Sequence, residues 1–469
     1  MGLWFKSPRI AMEFGVRAPY NYNSHNEVAT PPTPRAQHES VAMMVAGNVR
    51  VPGDKSLTHR LLLLAGLAPG RSRIRGALTS LDARSTAGVL RALGVGVTPL
   101  RAGAEVIVAG RRRFKRPAQA LDCGNSGTSA RLVLGLLAAH SFRAILTGDA
   151  SLRRRPMRRV TEPLAEMGAR FEGAAPDWLP FAMRGGPLSP IEWRLPVSSA
   201  QIKGCLLFAG LASGQAVALL EPNGRSRDHT ERLLRSFGFG VAEDREGWIR
   251  FAPTGRLAAF DSAVPGDPSS AAFLVGAALL AEGGDLRIQA VGLNPTRTGF
   301  LRVIERMGGS VVTEGLREDA GEPVGDLIVT PSVLGATTVA AGEIPALIDE
   351  IPLLAVLASR AAGETRFHEV GELRVKESDR LGLLAANLRA VGVEAAAERD
   401  TLTVSGSETP PTGRVRTEGD HRLAMAFAVL GTVKGAKIRV DNMDCASVSF
   451  PGFADALRGI NAGQKGRSR

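Results

Sequence analysis

Residues 51–68 read VPGDKSLTHRLLLLAGLA, and residues 264–281 read VPGDPSSAAFLVGAALLA. In each, a Pro-Gly turn and an Asp suited to capping precede a segment that is apolar on nearly every face. A helix apolar all round has to be buried, so only its first turn can stay polar and open. That turn carries free N–H groups and roughly half a positive charge, which makes it a place for anions.

Four more segments repeat the pattern: NSGTSARLVLGLLAA from 125, SAQIKGCLLFAGLA from 199, DEIPLLAVLA from 349 and DHRLAMAFAVLG from 420. The six starts, Asp54, Asn125, Ser199, Asp267, Asp349 and Asp420, are spaced by 71, 74, 68, 82 and 71 residues. Between them lies a second, amphipathic helix type that ends on Gly94, Gly168, Gly238, Gly308 and Gly392, each suited to a left-handed cap before a strand. Each unit of about 70 residues therefore offers two helices and several short Val- and Ile-rich strands, a mixed α/β module built six times. The two VPGD copies divide the units three and three. Pro-Gly at both places suits two chain crossings between domains, and two crossings imply a cleft that opens and closes.

A chain of 469 residues, 44% apolar, is long enough for two or more domains. Cys123, Cys205 and Cys445 are odd in number and lack metal-ligand spacing, which fits a reducing compartment and excludes a disulfide framework or zinc site. The longest apolar runs, such as 271–281, fall short of the ~20 residues needed to cross a bilayer. Residues 1–44 are rich in Pro, Asn, Ser and Ala, lack an apolar h-region and carry Glu13, Glu27 and Glu39, so an extension is expected there rather than a signal or transit peptide. The net charge of +12 points to anionic partners, from nucleic acid to phosphorylated metabolites. Only eight of the 58 basic residues are Lys, which marks positions such as Lys55 and Lys376.

The helix starts carry the candidate chemistry. PGDKSLTHR places Lys55, Ser56 and Arg60 at one end, a point cation, a hydroxyl and a planar fork that suit phosphate and carboxylate oxygens. Gly124, Asn125, Ser126, Gly127 and Thr128 form a turn of small residues ahead of Arg131, open to close approach by a phosphate. Arg153, Arg154, Arg155, Arg158 and Arg159 cluster downstream, where Pro156 argues for a fixed loop. Ser198, Ser199, Gln201 and Lys203, with Arg227 and Asp228, are weaker signals that capping alone would explain. The fifth unit is densest: Asp349 and Glu350, then Arg374, Lys376, Glu377, Asp379 and Arg380. Carboxylates beside fixed cations can be tuned as proton donors and acceptors, whereas a helix start laced with i,i+4 pairs is the plainer reading. His421 and Arg422 open the sixth helix, whose dipole would lower the His pKa.

Seven motifs in order, PGDKSLTHR, DCGNSGTSAR, RRRPM, SSAQIK, IDEIPLLA, LRVKESDRL and GDHRLAMA, resemble the EPSP synthase family of enolpyruvyl transferases from about residue 47 to 459. The resemblance implies a two-domain inside-out α/β barrel of six βαβαββ-like repeats, helices buried and sheets outside. Residues 45–53 plus 267–462 would form one discontinuous domain and 54–266 the other, with 1–44 as extension and 463–469 as tail. It implies transfer of the enolpyruvyl group of phosphoenolpyruvate to the 5-hydroxyl of shikimate 3-phosphate, with no metal or organic cofactor, in a cytoplasmic enzyme, expected to be monomeric, with no nucleic-acid or membrane partner.

By the same resemblance, Lys55, Ser56, Arg60, Ser199, Gln201, Arg227, Asp349 and Lys376 would bind shikimate 3-phosphate. Lys55, Gly127, Arg155, Gln201, Arg380 and Arg422 would bind phosphoenolpyruvate. Asp349 would accept the 5-hydroxyl proton and Glu377 would protonate the methylene carbon, with Lys55 touching both ligands. Gly127 stands where a larger residue lowers glyphosate sensitivity in the family, so inhibition by glyphosate is expected. Two departures stand out: Val448 replaces a Lys that binds phosphoenolpyruvate in many members, and 111–116 is unusually basic, read here as an exposed strand connection. The alternatives are an enolpyruvyl transferase acting on UDP-N-acetylglucosamine, whose typical loop Cys is missing near RRRPM, and an RNA-binding or RNA-processing protein. With 5% aromatic residues and no stacking motif, the sequence offers the latter little.

Overall fold

The computed structural model describes residues 43–172, 177–222 and 224–461. Its helices come in six pairs, an inner and an outer member each: α1 (Lys55–Leu67) and α2 (Leu81–Ala92), α3 (Gly127–Ala138) and α4 (Arg158–Glu166), α5 (Ala200–Ser213) and α6 (His229–Ser236), α7 (Pro268–Leu279) and α8 (Gly299–Arg306), α9 (Ile351–Ala358) and α10 (Arg380–Ala390), α11 (His421–Leu430) and α12 (Phe453–Gly459). The inner helices are the apolar segments of the sequence, and α7 and α9 are buried at every residue.

Four of the six expected starts hold the N-cap position, Asp54, Ser199, Asp267 and Asp420. Asp54 accepts from the Leu57 amide at 2.8 Å, and Asp267 from that of Ser269 at 2.8 Å. The other two starts shift by one residue, to Ser126 and Glu350, because the side chains before them are engaged elsewhere. Asn125 donates to Asp149 at 2.7 Å, and Asp349 pairs with Arg227. The five glycines expected to end outer helices all take left-handed backbone, with φ from 81° at Gly94 to 113° at Gly168.

The second unit shows the module: strand Leu121–Asp122, α3, strand Arg143–Thr147 parallel to the first, α4, then the antiparallel pair Arg170–Glu172 and Phe181–Arg184. Five four-stranded sheets share this order, while among the described residues the sixth unit has only its first two strands, Thr412–Val415 and Lys437–Val440. The helices pack inward and the sheets lie outside, an inside-out α/β fold.

Two of the first strands are exchanged across the chain crossings. Met44–Arg50, just before α1, pairs with Gly283–Gly292 after α7. Asp261–Ala263, just before α7, pairs with Gly70–Arg75 after α1. Two hydrophobic cores result, one from residues 57–264 and one from 43–51 with 271–460. The crossings run side by side: Asp54 N–H donates to Pro265 O and Asp267 N–H to Pro52 O, both at 2.8 Å. Buried Arg297 spans them, with Nη1 2.8 Å from Asp54 and Nη2 3.1 Å from Asp267.

The strand from Met44 and buried Met43 place the last two residues of the expected extension inside the fold; the rest of it, and the tail 463–469, lie outside the described residues. The 111–116 stretch follows strand Val106–Gly110 as an exposed connection pinned by Phe114, which stacks on His140 with ring centroids 4.8 Å apart. No helix among the described residues is long and apolar enough to cross a membrane.

Two outcomes test this packing. A Cβ on Gly135 of α3 would overlap the Cys205 carbonyl of α5, which is backbone and cannot swing aside. Gly135→Ala should therefore cost about 3 kcal/mol or more and lower the thermal midpoint measurably. His59, inside α1, is held neutral chiefly by burial, its pKa lowered to about 3 although Asp82 pulls it up. The unfolded chain then binds a proton that the fold does not, so stability is complete above pH ~6.5 and is lost as pH falls toward 3. Thermal melts of His59→Gln should fall less steeply over that window than those of the parent.

Candidate active site

A cavity of about 730 Å³ opens between the two cores. The N-terminal turns of five inner helices line it, Lys55 and Ser56 from α1, Thr128 and Arg131 from α3, Ala200 and Gln201 from α5, Ser269 and Ser270 from α7, and His421 and Arg422 from α11, and Asp349 joins them from just ahead of α9. Five helix ends thus direct free N–H groups and positive partial charge toward one volume. Arg155, Arg159, Arg227, Arg297 and Lys376 add full cations, and Asp267, Glu369, Glu372 and Glu377 set further carboxylates among them.

Local structure fixes the aim of each group. The Lys55 ammonium pairs with buried Asp82, and its backbone N–H reaches Asp267 at 3.0 Å across the crossing. Gln201 is held from both ends, its Oε1 accepting from Arg131 Nη1 at 2.7 Å and its Nε2 donating to Thr128 Oγ1 at 3.1 Å. The Pro156 loop holds Arg155, whose Nη2 donates to Asn125 Oδ1 at 2.8 Å while its buried Nε has no hydrogen-bond partner. Lys376 and Glu377 follow a short 3-10 turn, Gly371–Val375, and precede α10, which Asp379 caps by accepting from Gly382 N–H at 3.0 Å. They are therefore not part of a charged helix with i,i+4 pairs.

The two candidate proton carriers are ionised. Burial alone would raise the Asp349 carboxyl, but Arg422, Arg227, Lys376 and Arg380 hold it well below the usual range. Burial opposes and Arg380, His421, Arg155 and Lys55 likewise depress Glu377. Lys376 is pushed down by burial against the pull of Asp349. His421 is lowered to about 4, chiefly by burial, with Arg422 and Lys55 assisting. That is the direction expected for it, with burial as its largest cause.

Lys55, Ser56, Arg155, Ser199, Gln201, Arg227, Asp349, Lys376, Glu377 and Arg422 all face the cavity. Arg60, Gly127 and Arg380 do not line it. Arg60 is spent inside the fold, donating to Thr230 Oγ1 at 2.8 Å, Ser56 O at 3.0 Å and Ala200 O at 3.1 Å. Gly127 sits behind the arginines, where an added Cβ would lie 2.8 Å from Arg131 Nη1 and 3.5 Å from Arg155 Nη1. Arg380 is fully buried between Glu377 and Asp420, 2.9 Å from the latter, with Nη1 unbonded and 3.8 Å from Asp349.

Other lining residues had no assigned part in the sequence reading. Arg131 and Arg159 were visible there only as members of a turn and a basic cluster, and Arg159 meets Glu372 across the cavity at 3.3 Å. Arg297 and Ser449 left no local signal. Val448 does not line the cavity, and the neighbouring Ser449 is the sixth unit's contribution from that turn.

Known proteins share this architecture across nearly the whole chain. The family model for EPSP synthase (3-phosphoshikimate 1-carboxyvinyltransferase) matches residues 41–457. The 3-phosphoshikimate 1-carboxyvinyltransferase of Gluconobacter oxydans is 47% identical over 427 residues, 89% of this chain and 96% of its own. That of Thermus thermophilus is 49% identical over 417 residues, 88% and 96% of the two chains. The solved EPSP synthase from Acinetobacter baumannii superimposes with a TM-score of 0.81 at 36% identity, covering 90% of this chain and 97% of its own. The enolpyruvyl transferase NikO from Streptomyces tendae shares the fold, with a TM-score of 0.72 at 18% identity over 90% of this chain and 96% of its own. With a family match from residue 41 to 457 and relatives near half identity, the chain belongs to the EPSP synthase family.

Proposed function

We propose that this enzyme joins phosphoenolpyruvate to the 5-hydroxyl of shikimate 3-phosphate, giving 5-enolpyruvylshikimate 3-phosphate and inorganic phosphate. The carrying observation is a cavity walled by five helix N-termini and a surplus of cations, with two ionised carboxylates, Asp349 and Glu377, set into that field. Both substrates carry phosphate and carboxylate groups, which suit Lys55, Arg155, Arg227, Lys376 and Arg422. In this reading Lys55, Ser56, Ser199, Gln201, Arg227, Asp349 and Lys376 hold the shikimate ester, with Arg60 steadying Ser56 and Ala200 from behind. Lys55, Arg155, Gln201 and Arg422 hold phosphoenolpyruvate, with Gly127 and Arg380 shaping and charging that side from within the fold.

The chemistry needs a base at the hydroxyl and an acid at carbon. Asp349 takes the 5-hydroxyl proton as that oxygen attacks carbon 2 of phosphoenolpyruvate, and Glu377 delivers a proton to the methylene carbon. Return of a proton from the resulting methyl group to the Glu377 carboxylate then expels phosphate and restores the double bond. The surrounding cations by themselves hold both carboxyls too low to carry protons near neutrality. Bound anions offset the surrounding cations and raise both carboxyls toward the working range, so the ligands complete the tuning. The two halves, 45–53 with 267–462 and 54–266, act as closing domains that exclude water from phosphoenolpyruvate. The three free cysteines, Cys123, Cys205 and Cys445, suit a reducing compartment, so the proposed location is the cytoplasm, and the enzyme is proposed to act as a monomer.

The purified protein should release phosphate only when both substrates are present; release from phosphoenolpyruvate alone would defeat the reading. Asp349→Asn should lower kcat by about 10²- to 10⁴-fold, the range for a lost general base, while titration calorimetry still detects the shikimate ester. Gly127→Ala should displace Arg131 and Arg155, raising KM for phosphoenolpyruvate and weakening glyphosate inhibition with little change in KM for shikimate 3-phosphate. Steady-state kinetics with each substrate varied in turn separates these effects.

A further inference from the structure

Lys203 belongs to the few lysines of a chain that prefers arginine, and it is 1% exposed. It lies in the first turns of α5 and does not line the cavity. Its ammonium has three N–H donors and three acceptors: Glu231 Oε1 at 2.7 Å, Glu221 Oε2 at 3.0 Å and Ser226 O at 3.3 Å. An arginine fork could not gather three acceptors around one point, which accounts for lysine here.

The acceptors come from different pieces of chain. Glu231 belongs to α6, while Glu221 follows strand Val217–Leu220 and Ser226 lies three residues before α6. Glu221 Oε2 also accepts from the Ser226 amide at 3.1 Å, so both backbone polar groups of Ser226 are tied to the Lys203–Glu221 pair. The next residue is Arg227, whose guanidinium crosses the cavity to Asp349. One ammonium faces two buried carboxylates, and Arg60 supplies the second positive charge beside Glu231. Burial opposes the charge on Lys203, but Glu231 and Glu221 outweigh it and raise its pKa, so the ammonium persists. For stability alone, apolar side chains of similar volume would serve such a place as well or better.

We propose that Lys203 is a positioning residue for Arg227: by holding the backbone of Ser226, with Glu221, it sets the reach of the adjoining guanidinium to Asp349 and to the shikimate ester. This rests on the reading that Arg227 binds the ester. Lys203 touches no substrate, and its effect passes through Ser226.

Steady-state kinetics and thermal melts on the full chain test it with four variants. Lys203→Met should raise KM for shikimate 3-phosphate about tenfold or more while KM for phosphoenolpyruvate moves less than about threefold. The triple variant Lys203→Met/Glu221→Gln/Glu231→Gln relieves the unpaired carboxylates, so it should fold with a midpoint near the parent's and keep the raised KM, which also covers the case of an unfolded single variant. Arg227→Ala should raise KM for the ester by itself, and adding Lys203→Met to it should raise that KM no further. A triple variant with normal KM, equal rises for both substrates, or additive effects of the two changes would each overturn the positioning role. An Arg227→Ala enzyme with normal KM for the ester would instead remove the ligand assignment on which the proposal stands.

Discussion

Arg297 and the two aspartates it joins hold the two halves together at the paired crossings. Asp54 and Asp267 each cap the first inner helix of one half, and both are buried within one guanidinium's span. Two desolvated carboxylates so close would repel each other without a cation between them. The same aspartates are tied by backbone bonds across the paired crossings, so the starts of α1 and α7 are set relative to one another. Lys55 follows Asp54 directly and donates its own N–H to Asp267. The placement of Lys55 in the cavity is therefore inherited from the joint between the halves.

The halves differ in charge as well as in sequence. Residues 54–266 hold 31 Lys and Arg against 17 Asp and Glu, whereas 267–461 hold 19 against 26. The net charge of the chain thus conceals a basic half facing an acidic one. Asp349 and Glu377 belong to the acidic side, and Lys55, Arg155 and Arg227 reach them from the basic side. The unusual ionisation of the two carboxyls is a property of the joint cavity, because the cations that depress them come from both halves.

Periodic features were legible in the sequence, and features made through space were not. Buried helices, their caps and the glycines after the outer helices depend on neighbours in the chain, so the six units could be read from residue spacing alone. The caps at Ser126 and Glu350 escaped by one residue because Asn125 and Asp349 are claimed by partners 24 and 122 residues away. The paired VPGD copies marked the crossings, but the strand partners exchanged there, Met44–Arg50 with Gly283–Gly292 and Asp261–Ala263 with Gly70–Arg75, were not legible, since each strand precedes an inner helix as any first strand would. At the site, cavity residues at helix starts were found from position, and the seven motifs supplied their roles. Arg297 and Ser449 depend on contacts between distant segments and no local motif marks them, while the SSAQIK motif holds Lys203 without showing the partners that clamp it. Arg60 and Arg380 show the converse, since arginines at the right starts proved to be committed within the fold.

The exchanged strands also set an order of events on the ribosome. Met44 emerges early, but its partner Gly283 lies 239 residues further on. At a synthesis rate of about 5–20 residues per second, that strand waits roughly 10 to 50 seconds for its neighbour. Every strand of the half between the crossings, by contrast, is made before α7 begins, so this half is a guest that can fold while its host is still being translated. Until then the strand Met44–Arg50 remains an unpaired edge, open to capture by other nascent chains.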